Sequence, residues 1–454
     1  MGRNSPVDCF GTAIAVGEVC MTYQQALEYL AELATFGMRL GLQRIRRLAE
    51  LLGNPQDEYR TVHITGTNGK GSVAALTSSA LSASGLRTGL FTSPHLVSYN
   101  ERTRVDGVEI SDEDFVRMLS RTRKAAEQMA AGGEECPTQF EVLTAAAFLY
   151  FAEQKVDYAV IEAGLGGLLD STNIITPDVC AITNVTLEHA DVCGGTLEGV
   201  AEHKAGIIKD GVPVVTAAKG MPLDVIRRTA EEKLAPLYAL DGDFFVKRLS
   251  QGLEGQTLSL DAPALSISDW RYGLSLSAPY QRENSAVAAA LLAVLAQKDA
   301  RVSLNAASES FARTAWPGRF ERMDIGGQKI LVDGAHNPAG MKALREALDS
   351  AFPTEQRVFL LGILHDKAID EMLDALLRPE DTVVVTQPDS ERAETSERLL
   401  EAVKKRARQA EAEPDRGRAL SRAKQAAEGK LLCCTGSLYL IGELRARIEA
   451  GKEA

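Results

Sequence analysis

The sequence is poor in the features that mark several large protein classes. No apolar run reaches the length that a membrane-spanning helix needs. Basic residues are outnumbered, with 50 Lys and Arg against 62 Asp and Glu, and the formal net charge is -12. That balance argues against nucleic acid or an anionic membrane as the main partner, because both demand basic surface. It leaves room for an anionic small substrate held by a local group of Lys and Arg. The seven cysteines form no CxxC pair and no Cys/His zinc spacing. Reduced, buried thiols in a cytoplasmic protein are expected. There is no G-x-S-x-G elbow, so a serine hydrolase has little support. Internal repeats and low-complexity tracts are also missing.

What remains is an ordinary globular composition, 45% hydrophobic and 25% charged, over 454 residues. That length suits two or three domains. Residues 1–20 contain a weak apolar patch, "CFGTAIAVG", without the basic lead and cleavage site of a signal peptide. They are expected to be a disordered tail from an early start codon. Met21 then opens a helix, with Thr22 and Gln25 as a capping box and Ala26, Leu27, Leu30 and Leu33 as its apolar face.

From residue 61 short apolar strands alternate with helical stretches. "TVHITG" (61–66), "RTGLFT" (87–92), "DYAVIEAG" (157–164), "DVCAITNV" (178–185) and "VPVVTA" (212–217) are strand candidates, and 139–153 has helix periodicity. Repeated strand–helix units predict a mostly parallel sheet covered on both faces. Residues 244–279 read instead as strand–turn–strand, a small antiparallel addition, followed by a helix at about 283–297. "WPGRFE" (316–321) punctuates the chain. A second alternation follows, with "KILVDG" (329–334), "RVFLLG" (357–362), "TVVVTQ" (382–387) and "KLLCCTG" (430–436). It predicts a smaller, Rossmann-like α/β domain. The charge runs around 388–428 are read as solvated faces.

The strongest chemical signal is "VHITGTNGKGSVAALTSSAL" (62–81), a strand, a glycine turn and a helix. It is a phosphate loop in which Gly71 separates Lys70 from Ser72. Gly66, Thr67, Asn68, Gly69, Lys70, Gly71 and Ser72 form the cradle. Backbone N–H groups and the helix start favour phosphate there, and Lys70 reaches its charge. The plain alternative is a glycine turn with a surface lysine. Three further residues fall at strand ends on the same edge: Ser93, Glu162 and His189. In an open parallel sheet, ligands bind beyond those ends. A hydroxyl, a carboxylate and an imidazole there suit Mg²⁺ on nucleotide phosphates. Four of the six histidines, His95, His189, His336 and His365, sit at strand-to-helix turns, which favours a site without saying which of them act.

Together, "GTNGKGS", "TSPHLVSYNERTRVDG" (92–107), "IEAGLGGLLDSTN" (161–173), "LEHADVCGGTLEGVAEHKAGIIK" (187–209), "WPGRFE" and "DGAHNP" (333–338) resemble folylpolyglutamate synthase and its bifunctional dihydrofolate synthase form, a branch of the Mur ligase superfamily. The resemblance runs from Met21 to about Glu443 and supports Met21 as the natural start. It implies a P-loop ATPase domain over 21–316 and a C-terminal ligase domain over 317–454. It implies an ATP-dependent amide ligase that adds L-glutamate to folates, and to dihydropteroate in the bifunctional form, through an acyl phosphate. ATP is then a co-substrate and Mg²⁺ the cofactor, with a cytoplasmic, monomeric enzyme expected.

Motif by motif, the resemblance implies phosphate contacts from Gly66 to Ser72. It implies a metal set of Ser93, Glu162, His189 and a carbamylated Lys204, with Ser93 ranking ahead of Ser72 as the metal's hydroxyl. Lys204 by itself reads as a helix-surface lysine. Asn284 matches an adenine contact, and Arg319, Asp333 and His336 match the second domain's share of the ATP site. Lys70, Lys204 and His336 are the implied catalytic residues. Met38, Arg39 and Leu40, Thr138, Gln139, Phe140 and Glu141, and Leu169, Asp170 and Ser171 match the pteridine-side wall, with loop 93–107 as its cover. Two positions depart from the family pattern: Leu168 stands where Arg is usual, and Ala368 where a second Asp is usual. The alternatives are another Mur-type amino-acid ligase, a phosphate-loop module that ligates nothing, and an inactive relative. The folate-type cover loop favours the folate branch.

Overall fold

The computed structural model describes residues 21–188, 192–325 and 327–450. They divide into two compact units. The first contains the described residues up to Ser93, Asn100–Asp243 and Val287–Ala307. Its eight strands in chain order are β1 (Arg60–Thr65), β2 (Thr88–Phe91), β3 (Thr103–Val105), β4 (Val108–Glu109), β5 (Tyr158–Glu162), β6 (Val179–Ile182), β7 (Val214–Thr216) and β8 (Leu237–Ala239). They form one sheet in the order β4-β3-β2-β5-β1-β6-β7-β8. From β2 to β8 the pairing is parallel, and β3 and β4 add an antiparallel edge.

The helices of this unit are α1 (Tyr23–Ala34), α2 (Gln43–Leu51), α3 (Lys70–Ala83), α4 (Asp112–Ala131), α5 (Gln139–Glu153), α6 (Leu197–Ala205) and α7 (Met221–Glu232), followed by α8 (Gln281–Lys298), whose residues from Val287 on belong here. The expected capping box of Thr22 and Gln25 starts α1, and Ala26, Leu30 and Leu33 are buried. Thr138 and Glu141 build a second box at the start of α5. Its T-x-x-E spacing is the same sequence signature. The central strands are buried on both faces, which is why they read as unbroken apolar runs.

β1 lies between β5 and β6, although the chain leaves β1 for β2. Connections therefore depart to opposite sides around β1, and a crevice opens at its carboxyl end. The phosphate loop sits at that end.

The second unit contains Pro94–Tyr99, Phe244–Ala286 and the described residues from Ser308. β9 (Phe245–Gly252), β10 (Gly255–Ala262) and β11 (Ile267–Leu274) make the expected antiparallel addition. The other sheet contains β12 (Glu321–Ile325), β13 (Gln328–Val332), β14 (Arg357–Leu361), β15 (Thr382–Val385), β16 (Gln409–Ala412) and β17 (Leu431–Thr435), in the order β12-β13-β17-β14-β15-β16. All pairs are parallel except β12 with β13. Side chains alternate between its two apolar faces: Leu331, Phe359, Leu361 and Cys433 on one, Val332, Val358, Leu360 and Cys434 on the other.

This alternation explains the adjacent cysteines. Each fills one face, and burial pushes the Cys434 thiol up to about 12. Cys180, Cys433 and Cys434 are free and buried, as expected for reduced thiols, and Cys193 is buried as well. Cys136 departs from that expectation and is disulfide-bonded. Among the described residues, no helix is long and apolar enough to cross a membrane.

Candidate active site

The phosphate loop is shaped by backbone conformations that favour glycine. Gly66 has φ +149°, and a Cβ there would stand 1.9 Å from Thr183 Oγ1. Gly69, at the N-cap of α3, has φ +88°. The segment after β6 braces the loop. Thr67 N donates to Asn184 O at 2.8 Å, Asn68 N to Asn184 Oδ1 at 3.0 Å, and Thr183 Oγ1 to Asn68 O at 2.6 Å. Sequence reasoning missed Thr183 and Asn184. Their signal was a Thr-Asn pair at the end of a strand, which gains meaning only once β6 is known to flank β1.

Gly66→Ala tests this packing. The new methyl group meets Thr183 in a disfavoured backbone conformation, so a loss of more than about 1 kcal/mol of stability is expected. Thermal denaturation with and without ATP would measure it; an unchanged midpoint would contradict the described loop.

Two lysines converge on the carbonyl of Gly66. Lys70 Nζ donates to Gly66 O and to Thr67 O, each at 3.2 Å. Lys204 Nζ, from α6, donates to Gly66 O at 2.7 Å. Lys204 is only 6% exposed, which overturns its reading as a surface lysine. Val200, Ala201, Lys204 and Ala205 are buried along one helical stripe of α6. Burial, and then the neighbouring charge of Lys70, push the Lys204 ammonium down to about 7. Ser72 is buried in the first turn of α3.

Of the proposed metal set, Ser93 and Glu162 come together. Glu162 is buried at the end of β5, and its Oε2 accepts a hydrogen bond from Ser93 N at 3.1 Å. His189 lies outside the described residues. No group of three His, Cys, Asp or Glu able to hold a metal occurs among the described residues.

The pteridine-side candidates divide by exposure. Met38, Arg39 and Leu40 are exposed in the α1–α2 connection. Thr138 caps α5, Gln139 Nε2 donates to Leu30 O, and Glu141 is buried. The Phe140 ring lies 6.0 Å from that of Phe91 and against bare Gly164, where a Cβ would stand 2.6 Å away. Leu169 is half-buried and Ser171 buried. Asp170 is buried too, and that burial raises its carboxyl above the usual range. Its oxygens accept from Leu165 N, Thr172 N and Thr172 Oγ1, all within its own turn. The exposed Leu168 ties that turn to α6 through its N–H on His203 O.

In the second unit, Asp333 organises the turns around β13. It accepts from Tyr280 Oη (2.9 Å), Phe320 N (2.8 Å) and Ala335 N (2.8 Å). Burial raises its carboxyl, and Arg319 opposes the rise. Arg319 lies against Gly334, where a Cβ would stand 2.2 Å from Nη1. His336 Nδ1 bonds Gly334 O at 2.8 Å; a carbonyl only accepts, so Nδ1 carries the proton. Asn284 Nδ2 donates to Gln281 Oε1 in the first turn of α8. Tyr280 was not singled out in the sequence. Near Ala368, Asp366 pairs with Arg392 at 3.1 Å.

The chain is similar to known proteins along nearly its whole length. Residues 64–292 match the Mur ligase middle domain, and residues 318–438 match the Mur ligase glutamate ligase domain. The dihydrofolate synthase/folylpolyglutamate synthase of Bacillus subtilis is 33% identical over 430 residues, 94% of this chain and 99% of that protein. The crystal structure of folylpolyglutamate synthase from Thermotoga maritima superposes with a TM-score of 0.83 at 35% identity, covering 95% of this chain and 97% of that one. Mycobacterium tuberculosis folylpolyglutamate synthase complexed with ADP superposes with a TM-score of 0.85 at 32% identity, covering 94% and 99%. The two Mur ligase domain matches, with relatives 33–35% identical over nearly the whole chain, place the chain in the folylpolyglutamate synthase/dihydrofolate synthase family of ATP-dependent Mur ligases.

Proposed function

We propose that the chain joins L-glutamate to a folate, and to dihydropteroate, at the expense of ATP. The convergence of Lys70 and Lys204 on the Gly66 carbonyl is the observation that supports this most. It sets the Lys70 ammonium and a second, buried amine at the start of α3, where the helix also favours anions. A relative whose structure is complexed with ADP supports an adenine nucleotide as a ligand.

The chemistry needs that charge. A substrate carboxylate oxygen attacks the γ-phosphorus of ATP, the bond to ADP breaks, and an acyl phosphate forms. The amine of glutamate then attacks the acyl carbon, phosphate leaves, and the amine loses a proton. The first step brings anion to anion. Lys70 stabilises the charge gathering on the γ-phosphoryl oxygens. Gly66, Thr67, Asn68, Gly69, Gly71 and Ser72 hold the phosphates. Asn284 is proposed for adenine, and Arg319, Asp333 and His336 for the second unit's share of ATP. Met38 to Leu40, Thr138 to Glu141 and Leu169 to Ser171 are proposed to wall the pterin.

Ser93 and Glu162 fit a hard cation, which takes oxygen ligands and relies on substrate phosphates for the rest. They would hold Mg²⁺, with His189 as the third protein ligand. When bound, the ion would screen phosphate charge. Lys204 suits carbamylation. A depressed amine is largely neutral above about pH 7, and its nitrogen then bonds to the carbon of CO₂ and releases a proton. The product is an anionic oxygen ligand in place of a cation.

The test supplies MgATP and L-glutamate with dihydropteroate or with a tetrahydrofolate, following phosphate release and product mass. A product heavier by one glutamyl residue is expected from each pterin. Glutamate-independent ATP hydrolysis without such a product would point to a phosphate-loop module instead.

A further inference from the structure

Arg44, in the first turn of α2, joins three separate stretches of chain. Its Nε donates to Glu141 Oε2 at 3.1 Å, its Nη1 to Glu135 Oε2 at 3.0 Å, and its Nη2 to the backbone carbonyl of Arg39 at 2.7 Å. The side chains of Arg44 and Glu141 are 10% and 2% exposed, so this pair is buried, whereas Glu135 is in solvent. Glu141 Oε2 also accepts from Thr138 N at 2.7 Å, which closes the capping box of α5. Its other oxygen is buried without a hydrogen-bond partner among the described residues. Arg44 is therefore the cation that balances the carboxylate at the start of α5.

The Arg39 carbonyl belongs to a connection with glycines near both ends, Gly37 at φ +64° and Gly41 at φ +131°. Met38, Arg39 and Leu40 all expose their side chains. Such a segment has little packing of its own to hold its backbone. A planar guanidinium with donors at fixed angles reaches the carboxylate and the carbonyl together, which a single ammonium does not reproduce.

We propose that Arg44 is a positioning residue for the pterin. It sets the spacing between residues 38–40 on one side and Thr138–Glu141 on the other, and so tunes the affinity of the wall they form. The inference rests on the reading of those two segments as the pterin-side wall.

Steady-state kinetics of Arg44→Lys test it. The substitution keeps a cation beside Glu141 and gives up the contact with Arg39 O. The KM for dihydropteroate should rise about tenfold, the worth of one well-placed hydrogen bond, while the KM values for ATP and glutamate and kcat stay within about twofold. A dihydropteroate KM equal to that of the unaltered protein overturns the proposal. So does a parallel rise in all three KM values, which indicates general loosening. Should Arg44→Lys not fold, Arg44→Gln, which keeps a side-chain N–H donor at this position, is measured in its place, and the same selective rise is expected; its absence overturns the proposal equally. If the unaltered protein turns over no pterin, the reading of the wall falls. Turnover with an unmoved KM sinks only the role of Arg44.

Discussion

Lys70→Ala is expected to lower kcat/KM by about 10²–10³-fold or more, the usual loss when a preorganised charge facing a reacting oxyanion is removed. In the described structure Lys70 Nζ lies over its own loop, bonded to the carbonyls of Gly66 and Thr67. Those bonds hold the ammonium over the cradle but contribute little that ATP would not replace with stronger, charged partners. The alanine variant should therefore fold normally and fail chiefly in phosphoryl transfer. Phosphate release at saturating ATP, together with thermal denaturation, separates the two effects. Near-normal turnover in a folded variant would remove the loop from the chemistry. A second consequence follows from the neighbouring charge. Lys70 is one cause of the depressed Lys204 ammonium, so its loss lets Lys204 hold its proton to higher pH. Substitutions at the two positions should then be non-additive.

Lys204→Gln is expected to lower kcat by about 10²-fold, because a small displacement of groups that position the reacting atoms has that scale of effect. The side chain reaches Gly66 from α6, so glutamine loses both the contact and any carbamate. Bicarbonate separates these roles. Activity of the unaltered protein should fall in CO₂-depleted buffer and return with bicarbonate, and the Gln variant should not respond. The return should strengthen as pH rises through about 7, since the amine is protonated below that point and neutral above it. A full, CO₂-independent rate would discard the carbamate and leave Lys204 as a loop support. The same shift acts on stability. An unfolded chain keeps this lysine protonated up to its ordinary value of 10.5, so between about 7 and 10.5 the unfolded state binds more protons. The contribution of unmodified Lys204 therefore becomes more favourable as pH rises through that window.

Much of this architecture is legible along the chain. The central strands of both sheets announce themselves because a strand covered on both faces must be apolar throughout. β16, with the sequence Gln-Ala-Glu-Ala, does not, because it pairs only with β15 at a sheet edge and half its side chains meet solvent. β3 and β4 are three and two residues long, too short for any periodicity to register. Lys204 misleads for a different reason. Its charge suggests solvent, yet it continues the buried stripe of Val200 and Ala201. Arg44 and Tyr280 give no signal of their own, since each acts on a carboxylate far away in sequence.

The division between the two sources is physical. Helix caps, strand–helix rhythm and the glycine turn after β1 depend on residues within a few positions of one another, so they can be read along the chain. Which distant residues meet depends on strand order. Placing β1 between β5 and β6 brings Thr183 and Asn184 against the phosphate loop, and Glu162 to the strand end beside it. Lys204 reaches Gly66 across 138 positions of chain. Those pairings emerge from folding, because hydrogen bonds between strands and the burial of helix faces, not proximity along the chain, select them.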